Sequence, residues 1–80
     1  MADRARGRVS GHLEKRSLSL AGHRTSVALE PAFWRALEEA ASREGLSLAA
    51  LVRAIDAARS DPSMPLASAL RLHALETRRG

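Results

Sequence analysis

Polar and apolar residues alternate over residues 24–29, directly before a proline. Small hydroxyl or cationic residues and more strand-prone residues fall on opposite sides of this pattern, with Arg24, Ser26 and Ala28 on one side and Thr25, Val27 and Leu29 on the other. A period of two is typical of a half-buried β-strand, and so short a strand is not stable alone in water. Because the chain after Pro31 has a helical pattern, we predict that the strand pairs with its copy in a second molecule, which makes an obligate dimer.

A second, shorter alternation covers residues 15–20, with Leu18 and Leu20 on one face. The separation between Leu20 and Val27 is an odd number of residues, so one uninterrupted strand would place them on opposite faces. A break at residues 21–23 must restore the parity, and Gly22 permits either a bulge or a tight turn there. The pattern predicts a short first strand or extended arm before the main strand, and it leaves open whether the two pair.

The first two helices carry clear boundary signals. Pro31 suits the first helical position, and Gly45 suits a left-handed C-terminal cap. Ser47 then suits the N-cap of a second helix that ends near Arg59. Apolar residues form a stripe on each helix: Phe33, Leu37, Ala40 and Ala41 on the first, with Trp34 at its edge, and Leu48, Leu51, Val52 and Ile55 on the second.

A third helix is predicted from Ser63 or Met64 to about Arg78. Its apolar residues spread around more than one face: Leu66, Ala69, Leu70, Leu72 and Leu75. A helix that is apolar over such a wide arc is usually buried on more than one side. We therefore expect this helix to pack against two surfaces, for instance across a dimer.

With 80 residues, one Trp, one Phe and no Cys, the chain can form at most one domain with few large core side chains. The lack of cysteine excludes disulfides and thiolate metal sites, so oligomerisation is the remaining route to stability. No apolar run reaches the roughly 20 residues of a membrane span, and the N-terminus has no apolar signal-peptide segment. The sequence predicts a cytoplasmic protein without a membrane partner.

The net charge of +4 lies entirely within residues 1–24, because residues 25–80 hold equal numbers of arginines and carboxylates. Residues 1–14 show no period and contain two glycines, so we predict a disordered basic arm. A basic arm beside a β ribbon is typical of a protein that binds a polyanion. A solvated tail that only improves solubility is the alternative.

Three segments together, Thr25 to Pro31, Phe33 to Leu37 and Gly45 to Val52, resemble the ribbon-helix-helix (Arc/MetJ-type) family over roughly residues 24–59. Residues 21–31 with Ser-Ala-Leu-Arg-Leu at 68–72 resemble a small bacterial subgroup that carries an extra C-terminal helix. The resemblance implies a mostly α fold with a short β ribbon: a homodimer with intermolecular antiparallel strands, formed by residues 15–59. Residues 60–80 are then a linker and a helix that packs on the dimer.

The resemblance also implies that the paired strands enter the major groove of double-stranded DNA. Arg24, Ser26 and Ala28 then occupy the base-contacting positions. The Arg24 fork can donate two hydrogen bonds to guanine, which discriminates by about 1–3 kcal/mol. Ser26 is a weak reader, and Ala28 departs from the long polar residue common in the family, leaving only contact with a thymine methyl group.

Phosphate contacts are expected from a second set of residues. The N-terminus of the second helix, at Ser47 and Leu48, offers unpaired N–H groups and a positive dipole end, although Ser47 would cap its helix in either case. Lys15, Arg16 and His23 would add further contacts, so binding should weaken steeply with salt.

Catalysis is not expected, because the sequence has no nucleophile–base pair, phosphate-binding Gly-rich loop or paired carboxylates. No cofactor or metal is predicted: His12, His23 and His73 lie far apart, and His73 suits a packed core position. A dimeric DNA-binding transcriptional repressor is the first hypothesis. An antitoxin-like or adaptor dimer that binds a protein partner through its C-terminal helix is the alternative, and a metal- or ligand-responsive regulator is a third.

Overall fold

The computed structural model describes residues 12–59 and 61–79. Two strands precede three helices in chain order: β1 (Glu14–Leu20), β2 (His23–Leu29), α1 (Pro31–Arg43), α2 (Leu48–Ala58) and α3 (Leu66–Arg79). The predicted mostly α fold with a β ribbon and an extra C-terminal helix is confirmed. Most of the predicted disordered arm lies outside the described residues, and Glu14 at its end belongs to β1.

The β ribbon is a hairpin within one chain. β1 and β2 pair antiparallel in a register that runs from Glu14 opposite Leu29 to Leu20 opposite His23. Ala21 and Gly22 connect them with φ values of 51° and 85°, the two positive values of a type I′ turn. Residues 14–20 therefore supply one partner strand for β2 from within the chain, and the pairing of β2 with its copy in a second molecule stays a prediction.

The hairpin also resolves the parity of the two alternating patterns. In an antiparallel pair, residues directly opposite each other share a face of the sheet. The register therefore gathers the apolar residues of both strands on the inner face, where they are buried in the core: Leu18, Leu20, Val27 and Leu29.

The turn makes a testable prediction, because Ala21 adopts a φ that a side chain rarely accepts. We expect Ala21→Asn to raise the free energy of unfolding by about 0.5–1 kcal/mol, since asparagine tolerates positive φ and Asn-Gly is the preferred type I′ pair. Gly22→Ala should lower it by about 1 kcal/mol through backbone strain alone, because an added Cβ meets no atom within 4 Å. Urea unfolding followed by circular dichroism measures both, and changes of the same sign would contradict this turn.

Helix α1 begins at Pro31, as predicted, and packs its buried face mainly against α3 and α2, while Trp34 also contacts β1. Trp34 and Leu37 are fully buried in this face. The prediction that Trp34 lies at the edge of the apolar stripe is wrong, and Phe33 is the half-buried residue instead. The reason is that β1 covers the Trp34 side of the helix, where the indole Nε1 donates to the Glu14 carbonyl oxygen at 2.7 Å.

The connection between α1 and α2 follows the sequence signals. Gly45 has a φ of 71°, and the Leu46 N–H donates to the Ala41 carbonyl at 2.8 Å in a Schellman arrangement. The Ser47 side chain then accepts from the Ala50 N–H at 3.0 Å as the N-cap of α2. Both predicted caps are confirmed, and they fix the angle at which α2 leaves α1.

Helix α3 begins at Leu66, later than the predicted Ser63 or Met64. The Asp61 carboxylate holds residues 61–64 in a turn, accepting from the Ser63 N–H at 3.0 Å and from its hydroxyl at 2.6 Å. These two bonds, with the hydroxyl first, lower the pKa of Asp61. Pro65 then disfavours helical geometry at Met64.

Helix α3 packs on the same core as the other elements through Leu70 and Ala74, which are fully buried. Arg71 joins it to the end of β2, with Nε and Nη2 both 3.0 Å from a Glu30 carboxylate oxygen. Leu72 and Leu75 on its other side remain 48% and 51% exposed, so one chain covers only one of the two expected surfaces. None of the described helices is long and apolar enough to cross a membrane.

Candidate nucleic-acid interface

The outer face of the ribbon is the side turned away from the helices. Its residues stand in three cross-strand rows: Lys15 beside Ala28, Ser17 beside Ser26, and Ser19 beside Arg24. All are exposed except Ala28, which is half-buried. Neighbouring rows are about 7 Å apart, since each strand residue advances about 3.4 Å. The face thus carries two cations near opposite ends, three serine hydroxyls and no carboxylate.

The structure brings the three predicted base-contacting residues onto this outer face. Arg24 and Ser26 are exposed as expected, and Ala28 lies beside them on the same strand. Sequence reasoning did not assign Ser17 and Ser19 to the face. The period of two in residues 15–20 could have found them, but only once the antiparallel register was known.

Arg16 has a different position from the phosphate contact that we expected. Its Nη2 lies 2.7 Å from Glu14 Oε2, and its Nη1 lies 2.7 Å from Glu38 Oε2. The guanidinium also stacks 4.8 Å from the centre of the Trp34 ring. The hydrogen bond to Glu38, followed by the Glu14 interactions, raises the pKa of Arg16 against the opposing effect of burial. This cation joins β1 to α1 and does not point from the outer face.

The other predicted phosphate contacts lie at the margins of the ribbon and at the start of α2. Lys15 and His23 are exposed at opposite ends of the ribbon. Ser47 is exposed and its hydroxyl is occupied by the Ala50 N–H, whereas Leu48 is half-buried. The first N–H groups of α2, including that of Leu48, have no acceptor within the helix. They form the positive end of the helix dipole.

Arg53 is a further cation near the ribbon that sequence reasoning missed. The turn end of the ribbon, at Leu20 and Ala21, lines a shallow depression together with α2 residues that include Ala50 and Arg53. Arg53 is exposed. A single arginine on an amphipathic helix carries no sequence signal of its own, so only the tertiary arrangement places it beside the ribbon tip.

Metal-ligating side chains do not gather within the described part of the chain. No group of three or more His, Asp or Glu residues there could hold a metal ion. His12 and His23 are exposed, while His73 on α3 is half-buried against the core. The outer face offers charge and hydrogen bonding, without a reactive constellation.

A two-stranded ribbon with one face fixed in a helical core and the other face exposed, basic and rich in hydroxyls is typical of proteins that bind DNA through a β ribbon. The chain belongs to the ribbon-helix-helix family, because the family model described as "Ribbon-helix-helix domain" matches residues 13–77. The match confirms the resemblance and extends it over α3. Domains of this family generally dimerise and bind DNA, and they are regulatory rather than typically enzymatic.

A solved structure supports the same fold. An uncharacterized protein from Bordetella pertussis Tohama I is similar to this chain, with a TM-score of 0.75 and 34% sequence identity over 90% of the chain. The chain spans about 60% of the length of that protein. No curated protein sequence matches the chain.

Proposed function

We propose that this protein is a dimeric transcriptional regulator of the bacterial cytoplasm, acting as a repressor, that inserts the outer face of its β ribbon into the major groove of DNA. The observation that carries the proposal is the composition of this face, where Lys15, Arg24 and three serine hydroxyls are exposed without a carboxylate. A two-stranded ribbon fits the major groove, which is roughly 12 Å wide. The apolar residues of the opposite face are buried, so the ribbon can dock without exposing the core.

Base reading falls to the residues of β2 in this proposal. Arg24 is the strongest reader, since its planar fork can donate two hydrogen bonds to guanine O6 and N7. Ser26 donates to or accepts from several base edges and discriminates weakly. Ala28 offers a methyl group for contact with thymine.

Phosphate contacts fix the position of the ribbon without reading sequence. Lys15, His23 and the N-terminus of α2 at Ser47 and Leu48 supply them. Arg53 joins this set because it lies beside the ribbon tip. Arg16 is left out, since two carboxylates already hold its guanidinium.

The free edge of β2 supports a dimer in which two hairpins join side by side. A two-residue turn closes on a hydrogen-bonded pair, here Leu20 with His23, and bonding then alternates along the strands. The backbone groups of Arg24, Ser26 and Ala28 therefore point away from β1. An unpaired edge of this kind favours pairing with another strand, and two-fold pairing would place both copies of Arg24 on one continuous outer face.

Salt-titrated binding to a random-sequence DNA duplex tests the proposal. We expect binding at low salt that weakens linearly with salt on a log–log plot. Lys15→Ala should reduce the magnitude of the slope by about 1 for each copy, or about 2 for the dimer, because each copy loses one phosphate-neutralising cation. Arg35→Ala is the matched control, because Arg35 is an exposed cation on α1, away from the ribbon's outer face. Fluorescence anisotropy measures the affinity.

Two outcomes would remove parts of the proposal. Absence of binding even at low salt would end the DNA-binding role. A monomer at micromolar concentration by sedimentation velocity would end the side-by-side dimer while leaving the hairpin intact.

A further inference from the structure

A groove of about 480 Å³ runs between α2 and α3, on a part of the surface that the ribbon does not line. We name it the α2–α3 groove. Its floor and walls are mainly apolar, and they include Leu51, Ala54, Ile55, Ala58, Met64 and Leu72. Leu72 is 48% exposed here. An exposed apolar surface beside polar residues is typical of an interaction site.

The α2–α3 groove is acidic, in contrast to the net charge of +4 of the whole chain. Glu44, Asp61 and Glu76 line it and are exposed. The cation in its lining, Arg59, is held by Asp56 at 2.8 Å and by the Met64 carbonyl. Among the described side chains that line the groove, carboxylates therefore outnumber cations around an apolar floor.

Two polar atoms in the lining of the groove lack hydrogen-bond partners among the described residues. These atoms are His73 Nε2 and Arg59 Nε, and both are buried. Buried polar nitrogens are nearly always paired in folded proteins. The lining of the groove therefore holds two polar side chains, Arg59 and His73, whose hydrogen bonding is incomplete.

We propose that the α2–α3 groove binds a basic amphipathic helix of a second protein. Apolar side chains one helical turn apart would fill the floor beside Leu72, and Lys or Arg residues flanking them would face Glu44, Asp61 and Glu76. Helix-in-groove recognition uses such anchors at i, i+3 or i+4, and i+7.

Charge also decides against a second copy of this chain as the occupant. A two-fold interface centred on the groove would bring the three carboxylates of one copy close to the same three carboxylates of the other copy. Like charges brought together without compensation disfavour that contact. Because no ribbon residue lines the groove, the partner could bind while the outer face contacts DNA, and failure of either interaction leaves the other intact.

Selection from a phage-displayed library of random peptides of about 16 residues, long enough for roughly four helical turns, tests the proposal on the full chain. The double variant Leu72→Ser/Glu76→Lys serves for subtraction. The double variant Leu13→Ser/Glu39→Lys is the matched control, since Leu13 is 51% exposed against 48% for Leu72 and Glu39 is an exposed carboxylate outside the groove. All four substituted residues are exposed, so both variants should fold, which circular dichroism checks.

We expect enriched peptides with helical apolar spacing and an excess of Lys and Arg. In fluorescence anisotropy such a peptide should bind the groove variant at least tenfold more weakly than the unchanged chain, and bind the control variant equally well. It should also shift the imidazole NMR resonances of His73. Failure to enrich any peptide, or enrichment of peptides without positive charge, would overturn the proposal. A dimer that dissociates on Leu72→Ser would also overturn it, by showing that a second copy occupies the groove.

Discussion

Trp34→Ala is expected to lower the free energy of unfolding by about 3–5 kcal/mol, the usual range for removing a buried tryptophan. Domains are stable by only about 0.05–0.15 kcal/mol per residue, which is about 4–12 kcal/mol for a chain of this length. The substitution should therefore leave much of the protein unfolded at 25 °C if its stability lies at the lower end.

The reason is that Trp34 connects α1 to strand β1 of the ribbon. Its ring extends from α1 and is fully buried. Its Nε1 reaches β1, where it donates to the Glu14 carbonyl at 2.7 Å. The Arg16 guanidinium stacks on its face at 4.8 Å. Alanine would leave a cavity, remove the hydrogen bond to the Glu14 carbonyl and take the aromatic support from Arg16.

Urea unfolding followed by far-UV circular dichroism measures this effect, because the only tryptophan is itself replaced. Trp34→Phe should lower the free energy of unfolding by less, about 1–2 kcal/mol. An aromatic ring remains, and only the N–H donor and part of the side-chain volume are lost. Leu13→Ala, at an exposed position, should change little. A loss below about 1 kcal/mol for Trp34→Ala would show that the ribbon does not depend on this contact.

Arg24→Ala should weaken binding to a selected DNA site by about 1–3 kcal/mol for each copy of Arg24, or about 5- to 150-fold. The loss should fall on one base pair in each half-site, because a bidentate contact reads guanine specifically. Lys15→Ala should instead weaken binding by the same factor for every DNA sequence, since a phosphate contact carries no sequence information.

Site selection from a random DNA library, followed by affinity measurements on the selected duplex and on one with its guanine replaced, separates these roles. The variant and the base change should not be additive, because each removes the same contact. Arg24→Lys should fail to restore affinity, since an ammonium group lacks the planar fork. Equal affinities of Arg24→Ala and the unchanged chain for the selected site would exclude base reading by Arg24.

Local signals in the sequence sufficed for the parts of the fold that depend on near neighbours. The proline start of α1, the Gly45 cap and the Ser47 cap are each determined by a few adjacent residues. The exposed face of β2 follows from its period of two, so the exposure of Arg24 and Ser26 could also be predicted.

Features that depend on distant residues could not be read in this way. The hairpin stayed one of two possibilities, because pairing of the strands depends on their register and only Gly22 shows the preference of a type I′ turn. Ala21 adopts a positive φ that alanine disfavours. Arg16 resembled a free cation because its partner Glu38 lies far along the chain. Trp34 was placed at an edge because helical periodicity does not show which side another element will cover.

A hairpin that closes inside one chain separates folding from assembly. Contacts between near neighbours in sequence form quickly, so each newly made chain can complete its ribbon without meeting another molecule. Subunit association would then be a later, concentration-dependent step between structured partners. At low concentration in the cell the protein would persist as a folded single subunit. Its concentration would then determine how much of the DNA site is occupied, and would have little effect on whether the subunit is folded.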